Sequence, residues 1–325
     1  MNDKDLERVL KSAGHRVKPP ADVEREVREH LRAEWRSMVA ERSQRSRQRV
    51  IFALAASIAA TAVAVWMLAP RVGGPASKVA TVALAAGDFR VTSGWLDGWH
   101  DVARGAPLLA GQTLETGTTG RGAISLPGGV SARVDNDSRL VIATADSLVL
   151  ERGALYIDSG STPTQIPPLD VITPSGTVRH VGTQYEVRLL DAGVQLSVRE
   201  GAVEWRSSSG DIEHSRSGEQ LTISNDGRIE RTAVPAYGAA WDWTLEAAPT
   251  IDIEGLPLAR FLAWAARETG REVAYSSPEA EAESAGIVVH GSIAGLSPAE
   301  ALDAVLATTS VHAAISGGEL VVESR

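Results

Sequence analysis

The residue types able to do chemistry are present in this chain, but they are not spaced to act together. Seven histidines lie far apart at His15, His30, His100, His180, His214, His290 and His312. No two of them have metal-ligand spacing on one helix, and no H-E-x-x-H occurs. P-loop, G-x-G-x-x-G and G-x-S-x-G patterns are absent. Asp135 and Asp137 flank a turn, Asp135-Asn136-Asp137, but a calcium loop needs more carboxylates and a Glu further along. They read as turn residues. His290 alternates with apolar neighbours and reads as a surface or half-buried strand residue. The chain has no cysteine, which excludes disulfides, thiol catalysis, thiolate zinc sites and a lipid-modified N-terminal Cys. The expectation is therefore a non-enzyme with no cofactor and no metal.

The charge is unevenly placed. Residues 1–49 hold 13 Lys and Arg against 9 Asp and Glu, a net of +4. The other 276 residues hold 19 basic and 32 acidic residues, a net of −13. An acidic bulk argues against a large nucleic-acid surface, which needs clustered Lys and Arg to neutralise phosphates.

The divide between these parts is Val50–Ala69, 20 residues without a charge. At about 1.5 Å per residue this run reaches about 30 Å, the hydrocarbon thickness of a bilayer. Arg42, Arg45, Arg47 and Arg49 crowd its N-terminal side, while Arg71 and Lys78 follow it. The positive-inside rule then places the N-terminus in the cytoplasm, with Trp66 near the far interface. The 49 residues in front, many acidic, do not suit a cleaved signal peptide. A buried helix of a soluble protein is rarely apolar all round for so long. Pro70 and Gly73-Gly74-Pro75 end the run and start a linker over residues 70–79.

Within residues 1–49, Asp3 to Ala13 reads as a short helix stopped by Gly14, and Asp22 to about Arg42 as a second. Val23, Val27, Leu31, Trp35 and Met38 make one apolar stripe on the second helix. Val27, Leu31, Trp35 and Met38 are the candidate partner-binding residues, set as a helix in a groove. Packing on the first helix, or lying on the membrane with arginines near anionic headgroups, remains an equal alternative.

Residues 80–229 change to short alternating strands, punctuated by Gly, Asp, Asn and Ser at about ten-residue intervals. The pattern suggests an all-β sandwich, barrel or helical stack, and does not choose among them. Residues 230–249 form a bridge in which Trp241 and Trp243, two apart, would share a face of an extended segment and act as a packing anchor. Residues 250–325 read as βαββαββ. The strands are Thr250–Ile253, Glu272–Tyr275, Ile287–His290, Val311–Ile315 and Glu319–Val322, and the first helix is Pro257–Glu268. The second helix opens on Ser297-Pro298-Ala299-Glu300, a capping box with Pro at the first helical position.

Several stretches carry a family resemblance. Gly111–Gly117 (GQTLETG) and Gly120–Gly129 (GRGAISLPGG) resemble the opening of a FecR domain. Leu150–Tyr156 (LERGALY) resembles its middle motif. Ile172–Val178 (ITPSGTV), Val181–Val187 (VGTQYEV) and Val198–Val203 (VREGAV) resemble its most characteristic part, and Ser217–Leu221 (SGEQL) its closing strand. The order matches over about residues 80–225. By their types these residues are structural, with glycines in turns and Val, Leu and Tyr on a core face. Leu256–Leu262 (LPLARFL), Glu268–Tyr275 (ETGREVAY) and Leu296–Leu306 (LSPAEALDAVL) resemble the STN module at the N-termini of secretins and TonB-dependent transducers.

The resemblance implies a mainly β extracytoplasmic FecR domain, a small α+β STN-like domain, one transmembrane helix and a short helical cytoplasmic N-terminus. It implies a single-pass protein of a bacterial inner membrane, N-terminus cytoplasmic and C-terminal bulk periplasmic. Its cytoplasmic partner would be an extracytoplasmic-function sigma factor. A TonB-dependent outer-membrane transducer, or another envelope protein, would meet the periplasmic part, with proteolysis linking the two sides. Residues 1–49 depart from the family's usual cytoplasmic pattern, with Trp35 in Leu31–Arg36 as the nearest echo. The alternative is an inner-membrane-anchored envelope interaction protein with no sigma-factor role.

Overall fold

A computed structural model of the chain describes residues 77–94, 96–160 and 168–324, with the side chains of His180, Val181 and Gly182 excepted. The cytoplasmic helices, the run Val50–Ala69 and the stripe Val27, Leu31, Trp35 and Met38 lie outside the described residues. Among the described residues no helix is long and apolar enough to cross a membrane.

Sixteen strands build the first part: β1 (Lys78–Ala86), β2 (Phe89–Thr92), β3 (His100–Asp101), β4 (Pro107–Leu109), β5 (Thr113–Thr116), β6 (Arg121–Ser125), β7 (Ser131–Val134) and β8 (Arg139–Thr144). They continue as β9 (Ser147–Arg152), β10 (Ala154–Asp158), β11 (Asp170–Thr173), β12 (Gly176–Leu190), β13 (Gly193–Ser207), β14 (Ile212–Arg216), β15 (Glu219–Ser224) and β16 (Ile229–Ala233). The hydrogen-bonded order is β3-β2-β5-β8-β9-β11-β12-β10-β7-β6-β1-β4. Pairing is antiparallel except between β9 and β11.

The organising element is the long hairpin β12–β13. The first residues of β12 pair with β11 and its last with β10, so one strand serves two runs of the sheet. The partner strand does the same with β15 and β14. The switch falls at an irregularity: Gln184 faces Glu200, Tyr185 faces Val198, and Arg199 is left over between them. An unpaired residue of this kind bends a strand and re-aims its side chain. The sequence pattern reads two strands here, Val194–Val198 and Ala202–Trp205. Instead Gly201, at φ +80°, lets the strand run on through the bend.

Alternation fixes which side chains meet. On β10, Leu155 and Ile157 enter a core with Leu114, Ile124, Leu140, Ile142, Leu148, Val187 and Leu196. Each such buried aliphatic contributes about 1.5–3 kcal/mol relative to an exposed one. The other face of β10 is not wet either: Ala154, Tyr156 and Asp158 are buried as well. Something covers that face, and it is the C-terminal part.

That part begins with helix α1 (Asp242–Glu246), preceded by a 3-10 turn at Ala239–Trp241. It continues through β17 (Leu256–Pro257), α2 (Leu258–Thr269), β18 (Glu272–Tyr275), α3 (Pro278–Gly286), β19 (Val288–Val289), α4 (Pro298–Leu306), β20 (Val311–Ser316) and β21 (Glu319–Ser324). The apolar positions of α2 and α4 close a second core, with Phe261, Leu262, Leu302, Val305, Leu320 and Val322. The capping box forms: Ser297 accepts from the Glu300 N–H, and Glu300 accepts from the Ser297 N–H. Both hairpin strands form on either side of Gly317-Gly318.

Two features differ from the sequence-based expectation. Thr250–Ile253 is not a strand; the short pairing is Leu256 with Val289 and Pro257 with Val288. Helix α3 is additional, so the order is βαβαβαββ. Ser277 caps it and Pro278 starts it, but only Ala280 and Ser284 are buried, which leaves no apolar stripe to read.

All described residues belong to one compact unit, Gly73–Arg325. Gly153, at the β9–β10 corner, tests its packing. Its φ is +84°, and an added Cβ would lie 2.6 Å from Ser138 Cα. The left-handed backbone costs about 1–2 kcal/mol for a residue with a Cβ and the overpacking about 1–3 more. Gly153→Ala is expected to lower Tm by roughly 5–15 °C in thermal unfolding followed by circular dichroism.

Candidate functional site

The outward face of the β sheet is the place where charge, aromatic surface and burial coincide. One row crosses it from strand to strand: Ala123 faces Arg133, Arg133 faces Tyr156, Tyr156 faces Glu186, and Glu186 faces Ser197. In a sheet open to water these polar groups would be solvated. Here Arg133 is 1% exposed and Tyr156 0%.

Arg133 is the centre. Its Nη2–H donates to Glu268 Oε1 at 2.8 Å, and Nη1–H donates to the carbonyl of Thr244 at 2.8 Å. Nη1 also lies 2.7 Å from Glu268 Oε2, an ion-pair contact beside the one hydrogen bond. Burial works against the Arg133 charge, but Glu268, Tyr156 and Asp158 together outweigh it and raise the arginine's pKa. Glu268 stands in the last turn of α2, where the helix dipole disfavours a negative charge. Arg133, from the β sheet, supplies the compensation.

Around this pair the two parts are joined by further cations. Arg267 reaches Asp158 and Glu200, each at 2.5 Å. Arg188 links Asp135 and Glu186, which also accepts from the Trp243 indole at 2.6 Å. Arg121 joins Asp135 to Glu246. Arg199, aimed by the strand irregularity, donates to the carbonyl of Ala236 at 2.6 Å and to the Tyr156 hydroxyl at 3.3 Å.

Aromatic rings fill the space between. Trp241 and Trp243 meet Tyr156 edge-on, with ring centroids 5.9 and 6.5 Å away. With Ala154, Val234 and Ala247 they form a small apolar cluster of their own. The two tryptophans are thus a packing anchor, as their types suggest, but on a helical turn rather than an extended segment. Arg133 and Arg199 lie over Tyr156 and Trp241 at 5.2 Å each, within range of a cation–π attraction. Burial pushes the Tyr156 hydroxyl up to about 12, against the pull of Arg199 and Arg133.

The fit is close at Gly270, which ends α2 at φ +67°. A Cβ there would sit 1.9 Å from the Ala236 carbonyl oxygen and 2.4 Å from Arg199 Nε. Beside it a cleft of about 720 Å³ is lined by Arg199, Arg260, Trp264, Arg267, Arg271 and others.

This seam is a network of ion pairs and aromatic contacts. Its carboxylates are engaged by guanidiniums, and among the described residues no group of His, Asp and Glu is arranged to hold a metal ion. His290 is exposed and paired only with Glu254, its Nδ1 2.8 Å from Oε1. Asp137 does act as a turn residue, at φ +49°. Asp135 does more than turn the chain: it is 4% exposed and takes both Arg121 and Arg188. No catalytic or metal-ligand spacing singles out the seam residues, because they come from several strands and helices far apart in the sequence.

The comparisons with known proteins fall on the same strands. Residues 112–204 match the family described as FecR protein. Over this stretch the chain is similar to a FecR domain. The matched stretch runs from the start of β5 into β13 and includes Arg133, Asp135, Tyr156, Asp158, Glu186 and Arg199. The partners of these residues in α1 and α2 lie beyond it. Two crystal structures of a protein described as a candidate anti-sigma factor from Parabacteroides distasonis ATCC 8503, at 2.50 and 1.65 Å, align with 66% of this chain. They are covered over 98% and 99% of their own length, at 16% identity and a TM-score of 0.35, a likeness too low to carry an argument. No curated protein matches the chain.

Two outcomes follow for the seam. Removing one member of a buried ion pair strands the other and costs about 3–5 kcal/mol, whereas replacing both with apolar groups is often near neutral. Arg133→Met and Glu268→Leu are each expected to destabilise the protein by that order in urea unfolding. The double variant is expected to recover most of the loss; equal additive losses would show that the two residues are not coupled. Asp158 gives a pH signature. Burial raises its pKa, but the hydrogen bond and charge of Arg267, with Gln184 and the Gly160 N–H, hold it below the usual carboxylate range. A depressed pKa contributes stability above the unfolded value of about 3.9, lost as pH falls through the lower folded value. The penalty of Asp158→Asn is therefore expected to be full at pH 7 and to shrink as pH drops below about 4.

Proposed function

We propose that this chain is a single-pass inner-membrane regulator of an extracytoplasmic-function sigma factor. The FecR domain of residues 112–204 is the observation that carries the reading. It lies C-terminal to an uncharged 20-residue run that four arginines precede. The sequence logic then puts residues 1–49 in the cytoplasm and the FecR domain in the periplasm. Residues 250–325 act as an STN-like interaction module on the same side, receiving a signal from a TonB-dependent transducer or another envelope protein. Val27, Leu31, Trp35 and Met38 are the groups offered to the sigma factor.

A single helix is a poor lever, so the signal passes by proteolysis or altered partner binding rather than by rigid motion. The seam suits this task. It fixes the C-terminal module against the FecR domain through groups on both, so a partner that loads the module also strains the FecR domain.

The decisive experiment is co-purification of the full chain with extracytoplasmic-function sigma factors of the same cell. Binding is expected, and Leu31→Asp with Trp35→Asp is expected to abolish it. No interaction with any such factor would sink the proposal. If deletion of residues 1–40 leaves transcription unchanged but removes an envelope function, the chain is an envelope interaction protein without a sigma-factor role.

A further inference from the structure

Among the described residues two arginines are buried, and they differ in one respect. Arg133, 1% exposed, is matched by Glu268, whereas Arg199, 4% exposed, forms no ion pair with any described carboxylate. Its bonds go to neutral groups. Nε–H donates to the Ala236 carbonyl at 2.6 Å and Nη1–H to the Tyr156 hydroxyl at 3.3 Å, which leaves Nη2. Buried charges in proteins are paired, because an uncompensated one is costly to take out of water.

Arg199 stands in the wall of the cleft of about 720 Å³ beside Gly270. The β sheet supplies Arg199, and α2 supplies Arg260, Trp264 and Arg267. These three are four and three residues apart, so they share one face of the helix over about 10 Å. Arg271 follows just past the helix end. Its Nη1–H donates to the carbonyl of Thr269 at 3.0 Å, and its guanidinium lies 5.1 Å from the centre of the Tyr237 ring. Like Arg199, it is held in place by neutral groups. Arg260 is exposed and forms no ion pair among the described residues. The acids of the lining are largely engaged already: Arg267 takes Asp158 and Glu200, and Arg133 takes Glu268. Glu272 remains. Three cations without a carboxylate therefore share a cleft with one unengaged acid, in a part of the chain that is otherwise acidic.

The stretch 161–167, which follows Gly160 of the lining, is uncharged and cannot supply the missing anion. Phosphate is a poor match, since phosphate sites present backbone N–H groups at helix N-termini. This end of α2 presents carbonyls instead. Carboxylates fit the planar fork of a guanidinium. Trp264, half-buried, and Ala263, exposed, add apolar surface between Arg260 and Arg267, which a peptide can cover and a lone anion cannot. The volume is within the roughly 300–1,000 Å³ of ligand clefts. We infer that this cleft binds an acidic peptide segment of a protein partner, whether or not the chain regulates a sigma factor. The carboxylates of the segment sit on Arg199, Arg260 and Arg271, and an apolar side chain covers Trp264.

The probe is hexaglutamate carrying a fluorescent label, titrated with the full chain in non-ionic detergent at low ionic strength and read by anisotropy. Saturable binding is expected, released by added salt. Arg260→Glu, at an exposed position, is expected to weaken it by about tenfold or more, and Arg271→Gln severalfold. Arg228→Glu, exposed and outside the cleft, is expected to leave it within about twofold. Saturating hexaglutamate is also expected to raise the Tm of the native chain and not that of Arg199→Gln. An equal rise in both overturns the role given to Arg199. No binding, equal binding of hexalysine, or binding unchanged by Arg260→Glu overturns the site. Full displacement by inorganic phosphate at matched charge shows a general anion site and overturns the peptide assignment.

Discussion

Arg133 has no water to return to. It is 1% exposed, and its charge is matched by a carboxylate, Glu268, that lies 135 residues later in the chain. A buried guanidinium without its partner costs several kcal/mol, so the sheet that holds Arg133 is complete only when α2 is in place. The converse holds for Glu268, which otherwise faces the negative end of its own helix. This mutual requirement ties two separate apolar cores into one body. Neither core touches the other through its aliphatic residues; the joint is made of guanidiniums, carboxylates and three aromatic rings.

Such a joint has different physics from a core. Apolar packing has no charge state to lose, and tolerates volume-conserving substitution. A seam of ion pairs depends on charge state, on exclusion of water and on the exact set of partners. The aromatic cluster of Tyr156, Trp241 and Trp243 excludes the water, and the glycine at 270 lets the backbone come close enough for it to do so. An interface of this type is specific about what it holds and yields as a unit when its centre is lost. Those are useful properties in a protein proposed to report an event at one end to a partner at the other.

Much of the fold was legible in the sequence. The alternation in Leu148, Leu150, Leu155 and Ile157 marked the inner face, the glycine turns marked the hairpins, and Ser297 with Glu300 marked the start of α4. The seam was not legible, for a physical reason. Alternation says which residues point away from a core, not what covers them. Arg133, Asp158, Glu186, Arg188 and Arg199 sit at outward positions of their strands and have the composition of a solvated face. The available hints were Tyr156 among those outward positions and the paired tryptophans of the bridge. Helix α3 escaped for a different reason: its alanines bury too little to impose a period. The partner-binding stripe Val27, Leu31, Trp35 and Met38 rests on the sequence, since it lies outside the described residues.

The seam makes the β part that matches FecR and the C-terminal module one cooperative body. Hydrogen exchange of the full chain, read by mass spectrometry across a series of denaturant concentrations, tests this directly. Peptides covering β10 and peptides covering α2 are predicted to exchange through the same opening, with the same free energy and the same denaturant slope. If α2 exchanges through a separate opening of lower energy while β10 stays protected, the two parts are independent and the account is wrong.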